Sequence, residues 1–595
     1  MLRTPPKSLL ALALLTLTVG ASSIALANPG CRPGTTAAVV ETAVARWGIS
    51  PCGGGAESIR LLGAQFDMPE ARPPSGALPG WASEKWSIGA LQLVGTWDAK
   101  WDPFRDRLLA DAVGPLEVSV GLPGEASRTR RSFADLDAMM EALPRWGTIA
   151  GGDGITLVWP DPERVSSPIY VQKRIRHDAE RPSLLAVDLT VFWRGEKPLT
   201  IALETVVSTY RDPSTGDGGL LSSLSGPPDI PGAGLYAGGE WIHHDANALD
   251  EFLGDAEADP AETSVQGVPS WIETDSRYFL LALLPGEGWG EKASARVYAV
   301  GNGVLEAAMR SAPLSLAGGA AACLPASFAA KVQAKACPEG DAAPAGSARV
   351  AMHYFAGPKE IDLLRSVGSD LDQSIDFGWF GAIARPLLFV LKVAHGFTGS
   401  WPIAILILTI LVKALLWPIM GKSMKSMRKM SALKPELDKI KEELTAEAKK
   451  RGETTPDPAE LNRRTFALYQ QHGVNPLGGC LPMFLQMPVY IALYRTIYSS
   501  VELFNQPLFG WIGDLTRHDP FYVLPIVLAV LMFAQQRFAP MTTTTDDAQR
   551  KMMMYFMPAI FGLMMMSLPS GLTLYILTNT VLSMIQTFWL QRKEA

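Results

Sequence analysis

Long apolar runs are missing between residues 28 and 360, and the whole chain lacks a phosphate-binding loop and an excess of basic residues. No run of about 18 apolar residues occurs between residues 28 and 360, so no spanning helix is expected there. A phosphate-binding loop of the form Gly-x-x-x-x-Gly-Lys-Ser/Thr is absent, so the sequence implies no ATP site. The formal net charge is −6, and without an excess of basic residues no nucleic-acid partner is predicted.

What is present begins with the pattern of an export signal at residues 1–27. Arg3 and Lys7 supply positive charge, and residues 9–27 are apolar and end in the small-x-small tripeptide Ala-Leu-Ala. The stretch is nearly long enough to span a bilayer, so a cleaved signal peptide and an uncleaved anchor are equal alternatives. Either interpretation places the domain that follows outside the cytoplasm.

Cysteine is scarce, with five in 595 residues. Four of them fall outside the apolar segments and allow three disulfide connectivities. We favour the two local pairs, because an oxidising compartment permits them. Cys480 stands apart in an apolar segment and is expected to be a free thiol. The disulfide candidates are Cys31 with Cys52 and Cys323 with Cys337.

Residues 28–360 predict a large extracytoplasmic β-sandwich. Apolar and polar residues alternate at the start of the stretch from Val187 to Trp193, which is typical of a half-buried strand. The stretch from Tyr278 to Leu284 is almost continuously apolar and predicts a buried strand that stops at a proline. Turn-forming clusters separate such strands, as expected for an all-β domain.

The pattern becomes helical after residue 360. Residues 361–400 predict a linker and an amphipathic helix in the membrane interface. Residues 401–595 predict a helical polytopic membrane domain, in which residues 421–475 form a cytoplasmic helical hairpin. The five predicted spans are 401–420, 477–498, 522–538, 552–568 and 572–590.

Loop charge predicts the orientation of these spans. Seven basic residues lie between Lys422 and Lys441, and further ones occur at Arg550 and in the tail after the last span. The loop at 501–520 instead has one arginine against three acidic residues. Because basic loops stay in the cytoplasm, the hairpin and the C-terminus are expected inside and the β domain in the periplasm of a multi-pass inner-membrane protein.

Lys413 is the most informative residue, because it lies in the middle of the first span. A lysine there costs roughly 2.5–3.5 kcal/mol on insertion scales. Snorkelling of its side chain to the interface is the simpler alternative. The five spans contain no Asp, Glu or His, which argues against a paired proton relay. Neutral polar residues in the spans predict a hydrated, positively charged cavity open to the cytoplasm: Thr409, Gln486, Gln535, Gln536, Thr578, Asn579 and Gln586.

The segment from Asn475 to Tyr494, read as NPLGGCLPMFLQMPVYIALY, closely resembles the signature of YidC-type insertases. The segment from Pro569 to Tyr575 is similar to the start of that family's last span, and Met557-Pro558 also matches. On these motifs the chain is identified as a member of the YidC/Oxa/Alb family, in the bacterial form with a large periplasmic domain.

The resemblance implies a five-helix insertase core with a positively charged groove open to cytoplasm and lipid, beside a periplasmic β-supersandwich. It implies a membrane protein insertase and chaperone for nascent membrane proteins in the lipid bilayer, and no enzyme, catalytic residue, cofactor or metal. The Sec translocon and the ribosome are left open as partners. Inserted segments would move along the second and fourth spans, and the last span begins near Tyr575. The residues of those two spans implied in substrate contact are Cys480, Met483, Pro488 and Pro558.

Three departures from the family pattern follow. Lys413 stands where the family usually has arginine, which keeps the charge and loses the planar fork of donors. The tail after Leu590 is short, so any ribosome contact would use the cytoplasmic loops. The small-residue cleavage pattern also differs from relatives that retain the first helix as an anchor.

Two rival functions remain open from the residues alone. A transporter or channel could use Lys413 as an intramembrane anion site. A membrane-anchored carbohydrate enzyme or sugar binder could use the β domain, with His243 and His244 as the nearest candidates. Adjacent residues on a strand point to opposite faces, so these two histidines make a poor metal pair.

Overall fold

The N-terminal part of the chain is built from β-strands and the C-terminal part from helices, as seen in a computed structural model. Two units result, one of residues 1–216 with 229–374 and one of 217–228 with 375–595. The residues that the structure describes are 38–49, 56–62, 84–88, 91–95, 106–110, 116–120, 129–133, 147–151, 154–159, 165–166, 169–210, 232–245, 263–301, 304–319, 324, 329, 336, 346–450, 452, 457–473, 481–538 and 555–594.

The first unit contains the described strands. In chain order they are β1 (Ala38–Glu41), β2 (Ala45–Ile49), β3 (Ala56–Leu61), β4 (Glu84–Ile88), β5 (Leu91–Gly95), β6 (Asp106–Ala110), β7 (Leu116–Val120), β8 (Thr129–Phe133), β9 (Gly147–Gly151), β10 (Gly154–Trp159), β11 (Val165–Ser166), β12 (Ile169–His177), β13 (Leu185–Trp193), β14 (Leu199–Tyr210), β15 (Gly232–Ala237), β16 (Glu240–Asp245), β17 (Thr263–Gln266), β18 (Trp271–Asp275), β19 (Phe279–Pro285), β20 (Ser294–Gly301), β21 (Val304–Arg310), β22 (Leu314–Leu316) and β23 (Ser347–Pro358).

Two large antiparallel sheets organise these strands. One has nine strands in the order β16-β15-β18-β19-β23-β13-β12-β10-β9, and the other has six, with β17-β20-β21-β14-β22 in sequence and β6 paired to β14. Strands β15 and β18 of the first sheet contact β20, β21 and β14 of the second. The unit is therefore a sandwich of two sheets, which confirms the predicted all-β class of this part of the chain.

The central strands carry the core because both of their faces are covered. In β19 the residues from Phe279 to Leu284 are all buried, as the continuous apolar run predicts. In β13 the residues from Leu185 to Trp193 are buried except Thr190. Full burial of such strands removes a large apolar area from water and supplies most of the free energy that stabilises the unit.

The two faces of the nine-stranded sheet have different neighbours. Thr205 of β14 lies 3.8 Å from the sulfur of Met352 in β23, so this side of β23 faces the six-stranded sheet. Successive side chains on a strand point to opposite faces. Gly357 of β23 therefore lies on the other face, together with Leu280 of β19 and Asp275 of β18, which follow it in register.

On that second face the sheet buries a group of ionisable side chains. Asp275 is paired with the Lys359 ammonium through Oδ2 and with His243 Nε2 through Oδ1, the latter at 2.9 Å. Glu273 accepts a hydrogen bond from Trp241 Nε1 at 2.7 Å. Its side chain is fully buried, with 0% exposed, and its second oxygen has no hydrogen-bond partner among the described residues.

Burial and charge set the protonation of this group. Burial, together with the neighbouring Asp275 carboxylate, raises the pKa of Glu273 from 4.5 to about 8. Burial alone would raise the pKa of Asp275 as well, but the Lys359 ammonium and His243 hold it well below its usual range. Burial alone would lower the pKa of His243, but the Asp275 carboxylate raises it. Of the two carboxyl groups, Glu273 is therefore the protonated one near neutral pH.

The raised pKa of Glu273 predicts a fall in stability with rising pH. Between about pH 4.5 and 8 the folded chain keeps a proton that the unfolded chain releases, so the free energy of unfolding decreases as pH rises through this window. Glu273→Gln, which stays neutral and can still accept from Trp241, should lose less stability between pH 5 and pH 9, by on the order of a few kcal/mol.

Urea unfolding of the detergent-solubilised chain in metal-free buffer, followed by tryptophan fluorescence, measures this difference. His243 titrates in the same direction in both proteins, so the difference between the two pH profiles reports mainly Glu273. Identical profiles would contradict the proposed protonation of Glu273.

Among the described residues, the helices with assigned bounds follow strand β23. They are α1 (Ile361–Val367), α2 (Gly381–Thr398), α3 (Trp401–Ala432), α4 (Lys434–Lys450), α5 (Pro458–Gln471), α6 (Leu481–Ser499), α7 (Val523–Phe538), α8 (Met557–Met565) and α9 (Ser570–Glu594). Short 3-10 turns occur at Leu371–Ser374, Gly378–Phe380 and Val501–Leu503.

Local sequence explains where the long helices begin and end. Gly399 ends α2 in the left-handed region at φ 65°, a backbone conformation that glycine adopts without strain. Ser400 then precedes α3, whose first turn contains a proline, the residue best tolerated at that position. This tight connection brings α2 and α3 into contact.

Helix packing in the second unit places α9 at a junction. It contacts α3, α6 and α7, while α6 also contacts α2, and α7 also contacts α8. Helices α4 and α5 form a hairpin whose small apolar contact area is made by Met430, Leu433, Leu437, Leu468 and Tyr469. The helical class predicted for this part of the chain is thus confirmed.

By length and composition, two helical segments of the described chain could cross a membrane, Gly378–Thr398 and Trp401–Gly421, and Val523–Gln536 is a shorter apolar helix. The first coincides with the stretch predicted to lie in the interface, and that placement stays a prediction. Residues 1–27 and the four disulfide candidates lie outside the described residues, as does Cys480.

Candidate functional site

The candidate site is centred on Lys413, in the middle of α3. The residue is only 4% exposed, and its ammonium donates a hydrogen bond to Ser583 Oγ of α9 at 2.6 Å. Ser583 in turn donates to the backbone oxygen of Asn579 at 2.7 Å. Among the described residues no carboxylate lies within ion-pair distance of Lys413. The charge is therefore held by a neutral hydroxyl group.

A second polar contact joins α6 to α9. Gln486 donates to the Tyr575 hydroxyl at 3.0 Å, and Asn579 donates to the Tyr490 hydroxyl at 2.9 Å. The two tyrosine rings meet edge to face, with centroids 5.8 Å apart. Each hydroxyl of this pair accepts from an amide, so the polar groups satisfy one another inside an apolar helix bundle.

The geometry of α9 explains why these contacts share one surface. Tyr575, Asn579 and Ser583 follow one another at intervals of four residues, which places them on one face of a helix. Asn579 reaches α6 from this face, and Ser583 reaches α3. We call Lys413, Gln486, Tyr490, Tyr575, Asn579 and Ser583 the polar cluster.

The predicted site residues divide between members of this cluster and residues elsewhere. Lys413, Gln486, Asn579 and Tyr575 come together. Thr409 is buried one turn from Lys413, but its hydroxyl donates to Ile405 O of its own helix at 2.7 Å. Ser583 and Tyr490 were missed by sequence reasoning. The four-residue spacing on the last span is the signal that would have found Ser583.

The other predicted residues line different surfaces. Gln535 is half-buried on α7 and makes no hydrogen bond to the polar cluster within the described chain. Pro488 lies inside α6 and is half-buried, and Pro558 is buried in the first turn of α8. Cys480 lies outside the described residues, and the side chain of Met483 is not among those described.

The outer surface of the same helices is apolar. Large hydrophobic side chains are well exposed on α3, α6, α7, α8 and α9, and Met564 is exposed beside the buried Met565. Polar groups inside and apolar groups outside are the reverse of a soluble protein, and this arrangement suits contact with lipid. The exposed residues include Ile526, Val530, Phe533, Ile560, Leu563, Ile585, Phe588 and Trp589.

Replacement of Lys413 by methionine tests whether the buried charge stabilises the fold. Burial of the ammonium costs roughly 2.5–3.5 kcal/mol, and one hydrogen bond to a charged group returns about 1.5–3 kcal/mol. Lys413→Met should therefore leave the thermal unfolding midpoint in detergent unchanged or raise it, because Ser583 keeps its bond to Asn579 O.

Lys429→Met is the matched control, because Lys429 is exposed on the same helix. It should leave the midpoint unchanged. A lower midpoint for Lys413→Met alone would mean that the ammonium is a structural group whose main role is to hold α3 against α9.

Two family models match consecutive parts of the chain. The YidC periplasmic domain matches residues 225–390, and the 60Kd inner membrane protein matches residues 393–595. Together the two matches include strand β15 and all described residues after it except 391–392. The chain is thus a membrane protein with a periplasmic domain.

Relatives with similar sequences carry one name, membrane protein insertase YidC. The protein of Anaeromyxobacter sp. (strain Fw109-5) is 38% identical over 407 residues, which are 67% of this chain and 65% of that protein. The protein of Geobacter sulfurreducens is 37% identical over 324 residues, 54% of this chain and 53% of that protein. The chain thus spans less than two thirds of the length of each of these relatives, 65% of the first and 53% of the second.

A crystal structure of an active YidC insertase with its first transmembrane domain resolved aligns with 97% of this chain and 98% of that chain, at 16% identity and a TM-score of 0.34. The family models and the sequence relatives confirm the resemblance seen in the motifs. This chain belongs to the YidC family of membrane proteins, in the form that carries a periplasmic domain.

Proposed function

We propose that this chain is a membrane protein insertase and chaperone, which passes hydrophobic segments of nascent membrane proteins into the bilayer without making or breaking a covalent bond. The observation that carries the proposal is the contact of Lys413 with Ser583 inside apolar helices, with no carboxylate partner among the described residues. The name and the sequence similarity of the relatives support it.

The physical problem for an insertase is the polar flank of its client. A polar or acidic tail that crosses roughly 30 Å of hydrocarbon leaves its hydrogen-bonding groups unsatisfied. A groove open to the cytoplasm and to lipid would bring water part of the way across. The polar cluster would line this groove, so that the dry part of the path becomes shorter.

Lys413 supplies the attraction for an acidic tail. Because its resting partner is the neutral Ser583, a client carboxylate offers the ammonium a stronger, charge-assisted hydrogen bond. The bond is made in a partly hydrated setting, so it is weak enough to be released. Attraction in this case depends on charge, and the fork geometry of arginine is dispensable.

The apolar surface of the helices provides the exit. Exposed side chains such as Phe484 and Met487 of α6 and Met564 of α8 offer flexible apolar contacts to clients of varied sequence. Once a client segment reaches lipid, burial of its own apolar surface favours completion of insertion. No external energy source enters the scheme.

The orientation in this proposal follows the loop charges. The hairpin of α4 and α5 and the C-terminus would face the cytoplasm, and the β unit would face the periplasm. The hairpin carries an ion-pair network of Glu460 with Arg463 and Arg464. Nascent membrane proteins are the proposed clients, and the Sec translocon and the ribosome are the partners to test at these surfaces.

Insertion of a single-span reporter with an acidic outer tail tests the proposal. The host cells are depleted of their own insertase and supplied with wild type, Lys413→Arg, Lys413→Ala or Ser583→Ala. Wild type and Lys413→Arg should support insertion, Lys413→Ala should lose most of it, and Ser583→Ala should keep it, because Ser583 only holds the resting ammonium. Protease protection of the outer tail gives the inserted fraction.

Two controls sharpen this result. Lys429→Ala removes an exposed charge from the same helix and should insert the reporter like wild type. A reporter with a neutral outer tail should depend less on Lys413. If wild type fails with both reporters, the insertase function is refuted; if Lys413→Ala inserts both like wild type, the electrostatic step is refuted.

A further inference from the structure

The β unit contains a group of side chains for which the insertase mechanism has no use. His243 of β16 and Glu273 and Asp275 of β18 bring one nitrogen and two carboxylate oxygens within 4.8 Å of one another. Glu273 and Asp275 are buried, and the His243 side chain is 22% exposed. The three residues come from strands that are not neighbours, since β15 lies between them.

Two glycines allow the side chains from β16 and β18 to approach each other across β15. Gly232 and Gly234 of β15 lie between the two donor strands, and Gly234 is in register with both His243 and Glu273. A Cβ atom at Gly232 would stand 2.3 Å from His243 Nε2 and 2.7 Å from Asp275 Oδ1, and one at Gly234 would stand 3.1 Å from Glu273 Oε1. Alternate strands of a sheet lie about 9–10 Å apart, so their side chains can touch only where the strand between them carries no side chain on that face.

The orphaned oxygen of Glu273 points to a missing partner. A buried carboxyl oxygen without a hydrogen bond costs free energy, and natural folds keep such groups mainly where a ligand or a function uses them. The other oxygen of Glu273 is fixed by Trp241 Nε1 at 2.7 Å. The orientation of the Glu273 carboxyl group is therefore fixed, with one of its oxygens within 4.8 Å of the ligand atoms of His243 and Asp275.

From this geometry we propose that His243, Glu273 and Asp275 form a binding site for a divalent transition-metal ion of the Zn²⁺ type. Metal binding would release the Glu273 proton to solvent, and one imidazole and two carboxylates are then a ligand set that such ions accept, with metal–ligand distances of about 2.0–2.2 Å. Ligand atoms of a tetrahedral site lie about 3.3 Å apart, so the widest pair at 4.8 Å would close by roughly 1.5 Å. A rotation of the His243 side chain, which reaches solvent, supplies this movement and the entry path.

The position of Lys359 restricts where the proposed ion would lie. Its ammonium is paired with Asp275 Oδ2, while Oδ1 faces His243 at 2.9 Å. The ion would therefore sit on the side of Oδ1, between His243 and the Glu273 carboxyl group. A nearby ammonium repels a dication, so Lys359 lowers the affinity of the site and Lys359→Gln should raise it by about tenfold or more.

Zn²⁺ binding to the full-length chain in detergent tests the site. The protein is first stripped with a chelator and then brought to equilibrium by dialysis against Zn²⁺, and bound metal is counted by atomic emission. Wild type should bind one equivalent more than His243→Ala or Glu273→Gln. Lys359→Gln should bind the same number as wild type at lower free Zn²⁺.

His244→Ala is the matched control. His244 is the next residue on the same strand, its side chain points to the other face, and its Nε2 lies 3.0 Å from Thr263 Oγ1. It should bind as much Zn²⁺ as wild type, which separates the role of His243 from that of the neighbouring histidine. Gly232→Ala keeps all three ligands and should bind one equivalent of Zn²⁺ less than wild type. Its new Cβ atom would fill the space beside His243 and Asp275.

Two results would overturn the proposal. One is equal Zn²⁺ stoichiometry in wild type, His243→Ala and Glu273→Gln. The other is an affinity unchanged or reduced in Lys359→Gln, which would place the ion away from Asp275. If the variants fail to fold, Co²⁺-loaded wild type decides: tetrahedral visible absorption supports the site, and an octahedral aqua-ion spectrum refutes it.

Discussion

The burial of the Lys413 ammonium among apolar helices is the constraint that the polar groups of the membrane region have to meet. A cation inside apolar helices is tolerated only where polar groups and water can reach it. This condition fixes which face of α9 must meet α3, because Ser583 lies on that face. The same face carries Asn579, which bonds to Tyr490 of α6. The contact to the buried charge and the contact to α6 therefore lie on one face of α9.

The sequence predicted the large features of this chain because they rest on patterns within short segments. The almost continuously apolar stretch that ends at Leu284 is a buried strand, and Lys413 is a buried cation. Gln486 and Asn579 were also expected among the polar residues near it. Their actual partners could not be predicted, since they depend on which helices pack together. Gln486 bonds to Tyr575 on another helix, a pairing that no spacing along the chain reveals.

In the β unit, too, features within one strand were predictable from the sequence, and contacts between strands distant in sequence were not. Alternation along a strand correctly separates His243 from His244, and the structure places their hydrogen bonds on different partners. What alternation cannot show is that His243 meets Asp275, 32 residues later, across an intervening strand. The sequence signal was the Gly-x-Gly at Gly232 and Gly234, which has meaning only once the strand order is known.

Ser583 has a consequence for how repeated use of the groove would work. Its hydroxyl accepts from Lys413 and donates to the Asn579 carbonyl, so the idle site gives the ammonium a partner of its own. A client that departs into lipid would leave nothing behind to be hydrolysed or exchanged. The ammonium would return to the serine unaided, and the site would be ready again at once. Under the proposed function the rate of turnover would depend on how fast clients arrive and leave, because no external energy source is consumed.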